Sequence, residues 1–299
     1  MPPNLLSFLS ETHLSQLLQL AHEEDLGPKQ ADITSQLVIP ANAQATINLT
    51  AREPGVLAGI ATLPHLLRTF EAHIDAELLA KDTDTLTAGQ PLARFTGNLR
   101  TLLTVERPLL NLLSHLSGIA THTAQLASRI AHTRATLCDT RKTIPAYRGL
   151  AKYAVVCGGG TSHRMGLYDA ILIKDNHIAH IPDSQLTEHV TNWVRSARDL
   201  NPKPQFFEIE IDRLSQLEPV LKAGVDIALL DNMPPEQLAQ AVDIRNKLAP
   251  QTLLEASGGI TETTLVPIAE AGVDRISIGA LTHTVRALDL GFDREPAHA

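Results

Sequence analysis

Between Arg129 and Lys174 the chain places eight basic residues (Arg129, Arg134, Arg141, Lys142, Arg148, Lys152, Arg164 and Lys174) against two acids, Asp139 and Asp169. The segment therefore carries +6 in a chain whose formal net charge is −8, and the remainder carries −14. Guanidinium groups hold carboxylates and phosphates by paired hydrogen bonds, and ammonium groups act as point charges. Such a stretch is either a solvated basic face or a pocket for a small anion. Lys174 argues for the pocket, because it directly follows the apolar run Ala170-Ile171-Leu172-Ile173, which would anchor its stem. His163 lies beside Arg164, just past the triplet Gly158-Gly159-Gly160, and the pattern singles it out among 13 histidines. His283, after Gly279, is a weaker second.

Ser257-Gly258-Gly259 precedes Ile260-Thr261 and a helical stretch. Small residues at a helix N-terminus let backbone N–H groups approach an anion. Gly279-Ala280 ends the next apolar run and could complete a phosphate nest. Glu210 and Asp231, 21 residues apart at the ends of consecutive runs, are either counter-ions to the cationic pocket or a carboxylate pair for Mg²⁺. No Ser/His/Asp or Cys/His grouping suggests a covalent nucleophile, and Glu188-His189 is not part of an HExxH motif.

The elements that must position these groups follow from periodicity. From about residue 135, short apolar runs end in polar or glycine residues: 135–138, 170–173, 206–211, 227–230, 253–256 and 276–278. Helical stretches lie between most of them, at 184–200, 214–223, 235–248 and 261–271. This alternation predicts a parallel sheet or (β/α) barrel, whose reacting groups sit at the C-terminal strand ends. The first hundred residues read as mixed α and β. A helix is expected over 10–22, strands over 45–51, 56–60 and 92–95, and turns at Pro54-Gly55 and 87–90. Helical material follows over 99–130, with Pro108 near a helix start.

With 299 residues, 43% hydrophobic and 19% charged, the chain suits two globular domains. The acidic total argues against a nucleic-acid partner. Two cysteines, Cys138 and Cys157, fit a reducing compartment, and Cys138 falls in an apolar run expected to be core. The N-terminal residues lack the basic region of a signal peptide, and no apolar run approaches 18 residues, so a cytoplasmic protein without membrane contact is expected.

The motifs, read together, resemble quinolinate phosphoribosyltransferase. They are Glu24-Asp25-Leu26-Gly27, Ala31-Asp32-Ile33-Thr34, Gly55-Val56-Leu57-Ala58-Gly59, ERPLLNLLSHLSGIAT (106–121), DTRKTIPAYRGLAKYAV (139–155), CGGGTSHRMGLYDAILIKDNHI (157–178), LLDNM (229–233), EASGGIT (255–261) and ISIGALTH (276–283). Departures fall at Ile144, Ala146, Ala151 and Ser162, where the family usually has Thr, Gly, Glu and Asn. The resemblance implies an α/β protein of type II phosphoribosyltransferase fold. An N-terminal α/β open-faced sandwich (1–111, with 285–299 packing on it) would join an incomplete (β/α) barrel (112–284). It implies transfer of phosphoribosyl from phosphoribosyl pyrophosphate to quinolinate with decarboxylation, Mg²⁺ as cofactor, and a homodimer with shared active sites. By the same resemblance Arg141, His163 and Arg164, with Thr140, would grip the quinolinate carboxylates, and Arg107 would enter from the other subunit. Lys142 and Lys174 would face the phosphoribosyl pyrophosphate, and Glu210 and Asp231 would hold Mg²⁺ or ribose hydroxyls. Ser257, Gly258, Gly259, Gly279 and Ala280 would cradle the 5-phosphate, with His283 nearby. Two rivals stay open at this level: a sister enzyme on the same fold, such as a nicotinate phosphoribosyltransferase or the molybdenum-associated relative, and a metabolite-binding or scaffolding protein that keeps the pocket without catalysis. The cationic cluster favours a dianion over nicotinate, and retention of both lysines and both acids favours an enzyme.

Overall fold

The computed structural model describes residues 1–294; the last five residues of the C-terminal segment expected to pack on the first domain lie outside the described residues. The chain divides into two compact units. The first holds Met1–Ala124, Thr143–Gly159 and the segment from Leu281 onward, and the second holds Gln125–Lys142 and Gly160–Ala280.

The first unit is built on an antiparallel sheet. Its strands are β1 (Gln44–Ala51), β3 (Ile74–Leu78), β5 (Pro91–Asn98) and β12 (Leu290–Arg294), in the order β12-β1-β5-β3. A small ribbon pairs β2 (Gly55–Val56) with β4 (Thr85–Leu86). The period-two alternation of β1 buries Ile47, Leu49 and Ala51 on one face. β3 gave no such signal, because Asp75 to Leu78 are all exposed. Helix Glu11–Leu26 starts where the Ser10 side chain accepts from His13 N, and stops at Gly27 with φ 62°.

The long helix Leu99–Arg129 runs through Pro108, which therefore sits inside it and not near its start. A proline there removes one helical hydrogen bond. Leu102, Val105, Leu109, Leu113 and Leu116, all fully buried, hold the helix through it. Gly118 on this helix lets the returning chain approach closely. A Cβ there would meet Arg286 O at 2.3 Å, and Leu288 N donates to Ser114 O at 2.9 Å just before β12. Helix Arg148–Cys157 was not legible as a helix. Leu150 to Val155 are all buried, Lys152 included, so it presents no polar face to set a period.

Ala146, one of the four departures noted in the sequence, adopts φ 62°, and its carbonyl lies 2.7 Å from His13 Nε2. The left-handed region costs a residue with a Cβ about 1–2 kcal/mol, whereas glycine loses about 0.4–1 kcal/mol more chain entropy on folding. Ala146→Gly is therefore expected to stabilise the protein by roughly 0.5–1 kcal/mol, raising Tm by about 2 °C in a thermal melt. A lowered Tm would contradict the left-handed backbone.

The second unit contains six parallel strands: β6 (Thr136–Cys138), β7 (Ile171–Ile173), β8 (Phe207–Ile211), β9 (Ile227–Asp231), β10 (Leu253–Ser257) and β11 (Arg275–Ser277). Their order is β6-β11-β10-β9-β8-β7, so consecutive strands neighbour one another except β6 and β7, which form the two free edges. This is an incomplete (β/α) barrel. Helices Asp183–Arg198, Leu217–Lys222, Pro235–Leu248 and Glu262–Glu270 alternate with the strands. Cys138 is fully buried, as its apolar run implied.

At the N-terminal strand ends a buried strut ties helix to sheet. Arg245 Nη1 donates to Asp274 Oδ2 at 2.6 Å and to Thr252 O at 2.7 Å, and Asp274 Oδ2 also accepts from Leu254 N at 2.9 Å. Arg134 pairs with the other oxygen of Asp274. The opposite, C-terminal strand ends are left to the site.

Candidate active site

Two segments remote in sequence are stitched at the exit of β6. Thr161 N donates to Leu137 O at 2.7 Å, Asp139 N donates to Thr161 O at 3.2 Å, and His163 N donates to Asp139 Oδ1 at 2.9 Å. The stitching sets Thr140, Arg141 and Lys142 beside His163 and Arg164. The turn itself is held by Lys142 N donating to Thr140 Oγ1 at 3.0 Å. Arg164 is buried, with Nη1 3.4 Å from Ala170 O. Burial pushes its guanidinium pKa below the ordinary value, and the positive charge of Arg141 pushes it further down. Like charges gathered in one place repel, and an anion bound between them would relieve that repulsion.

The His163 ring is fixed at both nitrogens. Arg164 N donates to Nδ1 at 2.8 Å, while Nε2 lies 3.0 Å from Glu208 and 3.4 Å from Glu255. Glu208 on β8 and Glu255 on β10 are two strands apart yet converge on one nitrogen, so both project from one face of the curved sheet. Arg275 on β11 donates from Nε to Glu255 Oε2 at 2.7 Å, and its guanidinium lies 5.9 Å from the centroid of Phe206. Burial opposes charge on the ring, but the two carboxylates outweigh it and lift the His163 pKa to about 9. The Arg164 amide, which needs a lone pair on Nδ1, opposes that lift. Burial and the charge of Glu255 push Glu208 up. For Glu255 burial is outweighed by His163 and Arg275, which hold it low. The ligand atoms of His163, Glu208 and Glu255 lie within 4.8 Å of one another, a spacing a cation could use, but Arg275 already supplies the positive charge there. Sequence reading passed over Glu208, Glu255 and Arg275 as site residues. The available signal was a glutamate inside each apolar run, FEIEI and LLEAS.

Lys174 follows β7 and donates from Nζ to Glu210 Oε2 at 2.7 Å, joining two of the residues the sequence singled out. Asp231 ends β9, and its Oδ2 accepts from Asn232 Nδ2 at 2.7 Å. Both carboxylates are hard oxygen donors at C-terminal strand ends, a chemistry that fits Mg²⁺ alongside phosphate oxygens.

The loop after β10 needs glycine twice over at Gly258. Its φ is 90°, and a Cβ would meet Asn232 Oδ1 at 2.3 Å. Asn232 N in turn donates to Ser257 O at 2.8 Å, tying this loop to the one after β9. Gly259 also has a positive φ, and helix Glu262–Glu270 opens with Thr261 as its N-cap. Gly279 and Ala280 follow β11. Arg107 and His283 are exposed residues of the first unit. Arg107 lines an apolar cavity of about 600 Å³ there, with Leu17, Leu20, Leu112, Ile144 and Tyr147. Among the departures, Ile144 is thus an exposed wall of that cavity, and Ala151 is buried. Ser162 Oγ donates to His163 O at 3.0 Å.

The fold and these strand ends define a (β/α)-barrel enzyme for anionic substrates. Family comparison narrows the class. Residues 32–117 match the quinolinate phosphoribosyl transferase N-terminal domain and residues 119–293 its C-terminal domain. Nicotinate-nucleotide pyrophosphorylase [carboxylating] of Mycobacterium leprae is 42% identical over 264 residues, covering 88% of this chain and 90% of its own. The structure of the nicotinate-nucleotide pyrophosphorylase from Francisella tularensis superposes with a TM-score of 0.86 at 34% identity, over 96% of this chain and 98% of that one. The NadC structure from Streptococcus pyogenes gives 0.85 at 36% identity, over 95% and 97%. The chain belongs to the quinolinate phosphoribosyltransferase family.

Proposed function

We propose that the chain carries its family's activity: phosphoribosyl transfer from phosphoribosyl pyrophosphate to quinolinate with decarboxylation, yielding nicotinate mononucleotide, pyrophosphate and CO₂ for NAD biosynthesis. The observation that carries the reading is the stitching of the 137–139 and 161–163 segments, which gathers Arg141 and Arg164 at one strand exit, two cations that suit a dicarboxylate better than the single carboxylate of nicotinate. Thr140 completes this side, with His163 behind Arg164. Lys142 and Lys174 serve the pyrophosphate end, and Ser257, Gly258, Gly259, Gly279 and Ala280 cradle the 5-phosphate. Glu210 and Asp231 would hold Mg²⁺ or the ribose hydroxyls. When bound, the ion neutralises charge on the pyrophosphate. Lys174 exchanges its Glu210 partner for developing negative charge as the anomeric bond to pyrophosphate breaks. The arginines hold the pyridine nitrogen against the cationic anomeric carbon, and the new C–N bond makes a pyridinium. That positive nitrogen accepts the electron density left when the 2-carboxylate departs as CO₂, and the carbon is then protonated. Positioning and electrostatics do the work, with no covalent enzyme intermediate.

Purified protein with quinolinate, phosphoribosyl pyrophosphate and Mg²⁺ is expected to release CO₂ and form nicotinate mononucleotide. Turnover of nicotinate without CO₂ release would assign it to the sister activity.

The further reading is a cytoplasmic homodimer in which Arg107 serves the site of the second copy. It is supported by the exposure of Arg107 and by the apolar cavity it lines. Inactive Arg107→Ala and Lys174→Ala proteins should regain activity when mixed and allowed to exchange subunits. Exchange without recovery would place Arg107 outside the partner's site.

A further inference from the structure

The buried carboxylates Glu208 and Glu255, with the half-buried Arg275, have no place in the reaction as described. Both Glu208 oxygens are inaccessible to solvent, and Oε2 lies 3.0 Å from His163 Nε2. A carboxylate inside a sheet is costly unless it is used. Its close side-chain contact is with the ring, with the charge of Arg275 nearby. Nδ1 accepts the Arg164 amide, so in that tautomer the single ring proton is on Nε2, aimed at Glu208 and Glu255. The main chain of residue 164 is thereby fixed from below, while Asp139 Oδ1 fixes residue 163 from the side. The Phe206 ring packs edge-on to the imidazole, with centroids 5.4 Å apart.

We propose that Glu208 and Glu255 are positioning residues, which lock the His163 ring and through it set Arg164 for the carboxylates of the pyridine substrate. The proposal rests on quinolinate as substrate. His163 then acts through Arg164, both of its ring nitrogens being engaged inside the protein. Glu255 also anchors Arg275, so its loss would disturb packing as well; Glu208 is the cleaner probe.

Glu208→Ala removes the acceptor, and Glu208→Gln restores an oxygen at the same reach. In Glu208→Ala, the KM for quinolinate should rise about ten-fold or more, while the KM for phosphoribosyl pyrophosphate stays within about two-fold. Glu208→Gln should recover the quinolinate KM to within about three-fold. Quinolinate affinity, measured by calorimetry without the second substrate, should follow the same order. The calorimetric arm separates two failures. Wild-type protein that releases no CO₂ would sink the assigned reaction, whereas Glu208→Ala protein that binds quinolinate like wild type would sink the positioning role. An equal rise in both KM values, or a Glu208→Gln variant as poor as Glu208→Ala, would likewise overturn it, since a purely structural loss would not spare one substrate or be rescued by the amide.

Discussion

Replacing Arg164 by methionine is expected to lower kcat/KM for quinolinate by roughly 10²–10³-fold, with the KM for phosphoribosyl pyrophosphate within about three-fold of wild type. A hydrogen bond to a charged group is worth about 1.5–3 kcal/mol, and a guanidinium can give a carboxylate two of them. Losing about 3–4 kcal/mol of transition-state binding corresponds to that range of rates. Part of the loss is offset, because Arg141 no longer repels a neighbour that already sits low in pKa. Methionine keeps the stem volume, so the buried position should remain filled. Lysine should rescue weakly, since a point charge cannot reproduce the planar fork. Steady-state kinetics with each substrate varied in turn decides the matter: an unchanged quinolinate KM, or an equal loss toward both substrates, would remove Arg164 from the dicarboxylate side.

The second large effect is on stability. Asp274→Ala should destabilise the protein by about 3–5 kcal/mol, because Arg245, only 1% exposed, would be left as an uncompensated buried charge. The Leu254 amide also loses its acceptor. A thermal melt should show a fall in Tm on the order of 10 °C. The double variant Asp274→Ala, Arg245→Met should recover part of this, since the unpaired charge goes with the side chain. A single variant within about 1 kcal/mol of wild type would show that the strut does not hold helix Pro235–Leu248 to the strands. Quinolinate kinetics of surviving folded protein should be nearly unaltered, because the strut lies at the strand ends away from the site.

Much of the barrel could be read from the chain. Six apolar runs each became a strand within a residue or two, because a parallel strand covered on both faces is a continuous apolar stretch whatever lies beside it. Helix Pro235–Leu248 matched its expected range, since amphipathic period and a leading proline are local properties. Lys174, Glu210, Asp231 and Ser257 were placed at strand ends by the same logic. β3, helix Arg148–Cys157 and the interior position of Pro108 were not legible, because an exposed edge strand, a helix buried all round and a proline held by packing carry no local signature.

The amino-acid sequence by itself determined which chemistry is available here: a concentrated set of cations, glycine-rich strand exits and acids at fixed strand ends. Tertiary structure decided which of those groups meet. Arg141 and Arg164 are 23 residues apart, and bonds between the 137–139 and 161–163 segments bring their stretches of chain together. His163 stood out as a basic residue in a basic run, and only the convergence of β8 and β10 revealed its two carboxylate neighbours. The reason is physical. Charge and periodicity are carried along the chain, whereas a shared proton or a repelled pair of guanidinium groups exists only between atoms that folding has made neighbours.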